Sequence, residues 1–228
     1  MSRFLIAAVL VLGIIAAITS LFVFGLERSQ EGRPIHDAPW DITVKENGTI
    51  QVMGIVIGAD TVQRANQSFG KKPRVSLFQS ETTGWSLEAS YGEVVAGGMG
   101  GSAIANIAVD SGWADGARER AGKAYRIPGG MIQVALTDAD VAAAETFMVE
   151  GLTFIPENDL SDQVIAARFG KPSSVVKLDP KAFQWYFPDK GVFVTQGVPG
   201  KEVIQYLPLT RFEAVTAPMR EGKETVAR

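Results

Sequence analysis

The chain has no cysteine and a single histidine, His36. Thiol catalysis, disulfides and cysteine-held zinc or iron–sulfur sites are thereby excluded. His36 lies in residues 27–40, ERSQEGRPIHDAPW, a polar stretch with Gly32, two prolines and no hydrophobic period. Such a stretch reads as a flexible tether, which holds no carboxylate rigidly against an imidazole, so no Ser-His-Asp or Cys-His arrangement is expected. Among the acids, Asp138 and Asp140 open DADVAAAETF. Two neighbouring carboxylates suggest acid–base work, but first-turn acids are explained more simply by the positive end of a helix dipole. The glycine-rich AGGMGGS, residues 96–102, has no lysine and leads into a strand pattern, so it reads as a hairpin connection and not as a phosphate cradle. Arg118, Arg120 and Lys123 close a short helix that begins at Asp110 or Ser111. They could grip an anionic partner or simply complement the helix C-terminus. No catalytic residue, metal ligand or cofactor is expected.

The elements that must position these residues repeat. LSDQVIAARFGKP, residues 160–172, reads as a helix capped by Ser161, stopped at Gly170 by a left-handed residue and closed by Pro172. ADTVQRANQSFGKKP, residues 59–73, has the same layout, with Asp60 as cap and Gln63 at the capping-box position; Phe69 and Phe169 stand 100 positions apart. The correspondence continues beyond the helix. Phe183 falls on Trp85, Val192 on Glu93, Pro199-Gly200 on Gly100-Gly101, and residues 203–207 on 104–108. Strands are expected near residues 75–79, 85–91, 93–96 and 103–109, and the chain reads as a duplication.

The second copy, with LSDQVIAARFGKP, then WYFPDKG and finally VIQYL, resembles the BamE/SmpA-type envelope-assembly lipoproteins and the wider β-lactamase-inhibitor-protein (BLIP) fold. The resemblance implies helices layered on an antiparallel sheet, with binding on an exposed face or loop. It covers residues 147–210, and residues 42–109 through the internal repeat. With no cysteine, the chain lacks the lipid-acceptor position of those lipoproteins.

Composition sets the outer bounds. The 228 residues suffice for two small domains, and a net charge of −3 with 22 scattered Lys and Arg carries no nucleic-acid footprint. Residues 4–26, Phe4 through Leu26, are uncharged and apolar. As a helix they would reach ~34 Å, enough for a bilayer core, and they exceed a signal-peptide h-region. The expected fold class is α+β: an N-terminal transmembrane helix followed by two repeated lobes, each of short helices packed on an antiparallel sheet. The expected division is an anchor at 1–26, a tether at 27–40, lobe one at 41–110, a connector at 111–137, lobe two at 138–215 and a disordered tail at 216–228. Asp41 to Gly58 opens lobe one as a hairpin turning at Asn47-Gly48.

Strand parity then selects a face. Trp85, Leu87 and Ala89 match Phe183, Trp185 and Phe187, so that parity belongs against the helices. The opposite parity carries Glu88, Asn106, Gln184, Tyr186 and Gln205 as a candidate open contact face, with Tyr186 as its anchor. Arg118 and Arg120 form a weaker candidate. The functional expectation is a binding or scaffold protein in the bacterial inner membrane. It would be single-pass with its bulk in the periplasm, touching the bilayer through residues 4–26 and another envelope or membrane protein through its sheet faces. The alternatives are an inhibitor of a secreted hydrolase and a carboxylate-dependent envelope enzyme, the last testable by alanine replacement of Asp110, Asp138 and Asp140.

Overall fold

The computed structural model describes residues 35–81, 84–128, 130–197 and 202–227. A ten-stranded antiparallel sheet runs in the order β10-β11-β12-β13-β9-β6-β5-β4-β8-β7, beside a separate three-stranded sheet β1-β2-β3. The small sheet comprises β1 (Thr43–Val44), β2 (Ile50–Val52) and β3 (Ile55–Ile57). Its first turn is the expected Asn-Gly turn, with Gly48 at φ +80 and the Asn47 carboxamide oxygen accepting from the Thr49 amide.

Helix α1 (Val62–Phe69) and strands β4 (Arg74–Ser80), β5 (Gly84–Ala96) and β6 (Met99–Ile107) form the first copy. Thr61, not Asp60, caps α1, because the Asp60 carboxylate instead accepts from the Val56 amide at 2.7 Å and closes the turn out of β3. Helix α4 (Asp162–Phe169) and strands β10 (Ser174–Asp179), β11 (Ala182–Phe187), β12 (Val192–Gln196) and β13 (Val203–Tyr206) form the second. Ser161 caps α4 as the sequence predicts. Gly170 ends it at φ +86 and ψ −158, a conformation open to glycine but not the left-handed helical one expected. The α4 stop and the PDKG turn are coupled, since Lys190 Nζ donates to the Phe169 carbonyl at 2.5 Å.

The copies diverge at one glycine. Gly92 and Gly191 occupy matched positions at φ +61 and +64. Pro188–Lys190 forms a 3-10 turn closed by Gly191, so the second copy folds back into β12. In the first copy no proline precedes the matched glycine; the β5–β6 register shifts between Ser90 and Gly92, and β5 runs on as one bulged strand. The bulge solves a parity problem. Leu87, Ala89 and Tyr91 are buried before it and Val94 and Ala96 after it, so one extra residue keeps apolar side chains on the same face. The two strands expected at 85–91 and 93–96 are therefore one, and β6 begins four residues earlier than expected because Gly97-Gly98, both at positive φ, make a two-residue turn.

Between the copies lie α2 (Ser111–Arg120), β7 (Ala124–Arg126), β8 (Ile132–Val134), α3 (Asp138–Ala144) and β9 (Val149–Pro156); α5 (Leu209–Arg220) follows β13. Strand β9 pairs with β6 on one side and β13 on the other. This pairing corrects the expectation of two separate lobes behind a membrane-spanning helix: the copies share one continuous sheet. The physical reason is that separate lobes would each leave an unpaired strand edge. Among the described residues no helix is long and apolar enough to cross a membrane. The expected anchor, residues 4–26, lies outside the described residues.

The main core sits on one face of the sheet. Leu87, Ala89, Trp185 and Phe187 pack there with Phe69 of α1, Phe169 of α4 and the apolar residues of β2 and β3, as strand parity predicts. Phe69 packs on Tyr91 with ring centroids 4.3 Å apart and Phe169 on Phe187 at 5.6 Å, so the repeated phenylalanine plays the same part in both copies. The last part of the expected tether is also docked. Ile35 bridges to Ala96, and the Pro39 carbonyl accepts from the buried Tyr206 hydroxyl at 2.7 Å.

Candidate functional site

The opposite face, expected to be open, is covered over the second copy. Phe212, Val215, Thr216 and Met219 recur at helical spacing along α5 and bury against Val176, Tyr186, Phe193 and Leu207. Helix α5 and the described residues 221–227 replace the disorder expected over 216–227, the last residue of the expected tail lying outside the described residues. The 212-215-216-219 spacing signals this helix in the sequence, but mixed charge and Pro218 obscure it, and the structure places that proline in the last turn of the helix. Tyr186 is 0% exposed and Gln205 2%, so neither is an accessible anchor. The Tyr186 hydroxyl donates to Gln184 Oε1 at 2.7 Å, and Gln184 Nε2 donates to Thr195 Oγ1 at 3.2 Å. Arg220 lies over the Tyr186 ring at 5.2 Å. Burial pushes the Tyr186 phenol well above its ordinary range, against the charge of Arg220, so the hydroxyl stays a donor. These residues hold α5 to the sheet.

In the first copy, Glu88 and Asn106 are cross-strand partners, as their shared parity requires. Glu88 is 3% exposed and its Oε1 has no hydrogen-bond partner. Burial pushes its carboxyl up to about 8, with a hydrogen bond to Ser86 pulling the other way. Burial therefore favours the protonated carboxyl at neutral pH. Asn106, half-buried, lines a cleft of about 150 Å³ together with Trp85, Ser86, Leu207 and the Glu150–Arg211 ion pair. Trp85 Nε1 donates to the Asp115 carboxylate at 2.8 Å, which fixes the indole against α2. The five expected face residues thus divide: Asn106 reaches a cleft, and Glu88, Gln184, Tyr186 and Gln205 are interior.

The connector is the part that reaches outward. Asp110 caps α2, accepting from the Trp113 amide at 2.9 Å, as expected. Arg118 is half-buried on α2, whereas Arg120, about half exposed, is engaged by the buried Asp140: its Nε lies 3.0 Å and its Nη2 2.5 Å from Asp140 Oδ1. Thr137, which caps α3 in place of the expected Asp138, donates to Asp140 Oδ2 at 2.6 Å. Burial alone would raise the Asp140 carboxyl, but the hydrogen bonds from Arg120 and Thr137 and the Arg120 charge outweigh it and hold it below its ordinary value. Asp140 is therefore a structural ion-pair partner joining α2 to α3. Among the described residues no cluster of three or more His, Cys, Asp or Glu could hold a metal.

Beyond α2, β7 and β8 form a hairpin that extends the sheet past β4. Strand β7 is the last strand of that side. Lys123 O accepts from the Ala135 amide at 3.0 Å and Ile127 N donates to Met131 O at 2.9 Å. Alternation along an antiparallel ladder then turns the N–H and C=O of Ala124 and Arg126 away from β8, toward the open edge. Tyr125 between them is 51% exposed, more than any other large hydrophobic residue described. The sequence offered Arg118 and Arg120 in this region; it missed β7, which three residues of indifferent β pattern do not announce. No family model, curated protein or solved structure matches the chain, so nothing identifies it as a BamE/SmpA-like repeat protein.

Proposed function

We propose that this chain is a non-catalytic binding or scaffold protein that engages a partner protein by strand addition at the β7 edge. The observation that carries the reading is the contrast between the two ends of the large sheet. At the β10 end the chain covers its own edge: Lys177 N donates to Glu224 O and Val226 N to Val175 O, both at 2.9 Å, around a bridge between Val176 and Thr225. At the β7 end Ala124 and Arg126 present backbone donors and acceptors outward, with an exposed tyrosine between them. Sheet edges that are left in this state are templates for an extended segment, with backbone bonds supplying affinity and the exposed side chains supplying selectivity.

The test is photocrosslinking in intact cells through a photoreactive residue at Tyr125, with a second at buried Tyr186 as control. A protein adduct from position 125 that is absent at 186 and lost on Ala124→Pro, which removes an outward amide, is the expected result. Adducts that survive Ala124→Pro would show that the edge is not the contact.

A further inference from the structure

We infer that the segment taken up by the β7 edge is acidic: an extended, glutamate- or aspartate-bearing stretch of a partner protein. This rests on the strand-addition reading and adds the chemistry of the occupant. Residues 120–137 contain Arg120, Lys123 and Arg126 and no acidic residue, in a chain whose net charge is −3. Arg120 is engaged by Asp140, which leaves Lys123 and Arg126, both exposed, flanking Tyr125 on the edge strand. A second copy of the chain would crowd its own Lys123 and Arg126 beside these two across a two-fold axis, gathering like charge with no acid to offset it. The opposite edge shows what kind of segment this sheet accepts. The strand seated on β10 carries Glu224, whose carboxylate stands 3.8 Å from Lys177 Nζ across the pairing. At that edge a lysine of the sheet meets a glutamate of the covering segment; at the β7 edge Lys123 and Arg126 offer cations in the same setting, with no strand of the described chain upon them.

The experiment is fluorescence anisotropy of the full chain with two labelled seven-residue peptides, one carrying two glutamates three residues apart among valine and threonine, so that one lies on each face as Lys123 and Arg126 do, the other identical but with lysine for glutamate. The acidic peptide should bind about tenfold more tightly, as two cross-strand charge pairs require. Lys123→Glu with Arg126→Glu should reverse that order. Single N-methylation along the acidic peptide should weaken binding at every second residue only, since alternate amides face the edge. If both peptides bind alike but keep the period-two pattern, strand addition stands and the acidic occupant is overturned. If binding follows charge without that pattern, strand addition itself fails. Absence of binding by either peptide, or a concentration-dependent dimer of the chain lost on Ala124→Pro, would also overturn the inference.

Discussion

Replacing Glu88 with glutamine separates the energetic consequence of its burial from that of its shape. The carboxyl rises from the ordinary 4.5 to about 8 because the folded sheet takes it out of water. Between those values the folded chain holds a proton that the unfolded chain has released, so stability falls as pH rises through the interval. The contribution is fully present below about pH 4.5 and fully lost above about pH 8. At about 1.4 kcal/mol per pH unit, the interval between those two values amounts to about 5 kcal/mol in all, of which about 3 kcal/mol is lost between pH 5 and pH 8. A carboxamide at this position cannot ionise, so Glu88→Gln removes this slope. Urea melts of both proteins at half-unit intervals from pH 5 to pH 8 measure it. The stability of the variant relative to the parent should rise by about 3 kcal/mol across that range, whatever constant offset the amide brings at pH 5. A difference that stays flat would refute the reasoning, because it would mean that Glu88 ionises in the fold as easily as in water.

Two other substitutions bear on the architecture. At Gly191, φ is +64 and an added Cβ would stand 2.2 Å from the Leu207 carbonyl oxygen, so Gly191→Ala should cost about 3 kcal/mol or more in chemical denaturation, whereas Gly122→Ala, which meets nothing within 4 Å, should be near neutral. Arg120→Ala strips the buried Asp140 of its cation and should cost about 2 kcal/mol at pH 7 in the same assay; since Asp140 is held below its ordinary range, the loss should shrink as the pH falls through the carboxylate range, and restoring the charge with lysine should recover only part of it.

Local chemistry along the chain determined much of the scaffold. Ser161 and Asp110 cap helices because their short polar side chains reach first-turn amides, and the Asn47-Gly48 turn follows from glycine's access to positive φ. The parity that sends Trp85, Leu87, Phe183, Trp185 and Phe187 to the helices follows from strand geometry alone. The repeat was legible for the same reason, since matched helices carry matched phenylalanines. What the sequence left undetermined is everything that depends on which surface meets which. The two copies merge because β9 pairs with β6 and β13, and hydrogen bonds between segments about fifty residues apart have no sequence signature. The face carrying Glu88, Gln184, Tyr186 and Gln205 has the alternation of an open sheet, and it is buried. Gln184 and Tyr186 are satisfied by the Tyr186–Gln184–Thr195 network, whereas Glu88 Oε1 and Gln205 Oε1 have no hydrogen-bond partner, a desolvation cost that the packing of the whole sheet offsets. The exposed edge at β7 exists only because a three-residue strand finds β8, and β8 finds β4. An edge is a property of the finished sheet, where backbone groups common to every residue become distinctive by being left unpaired.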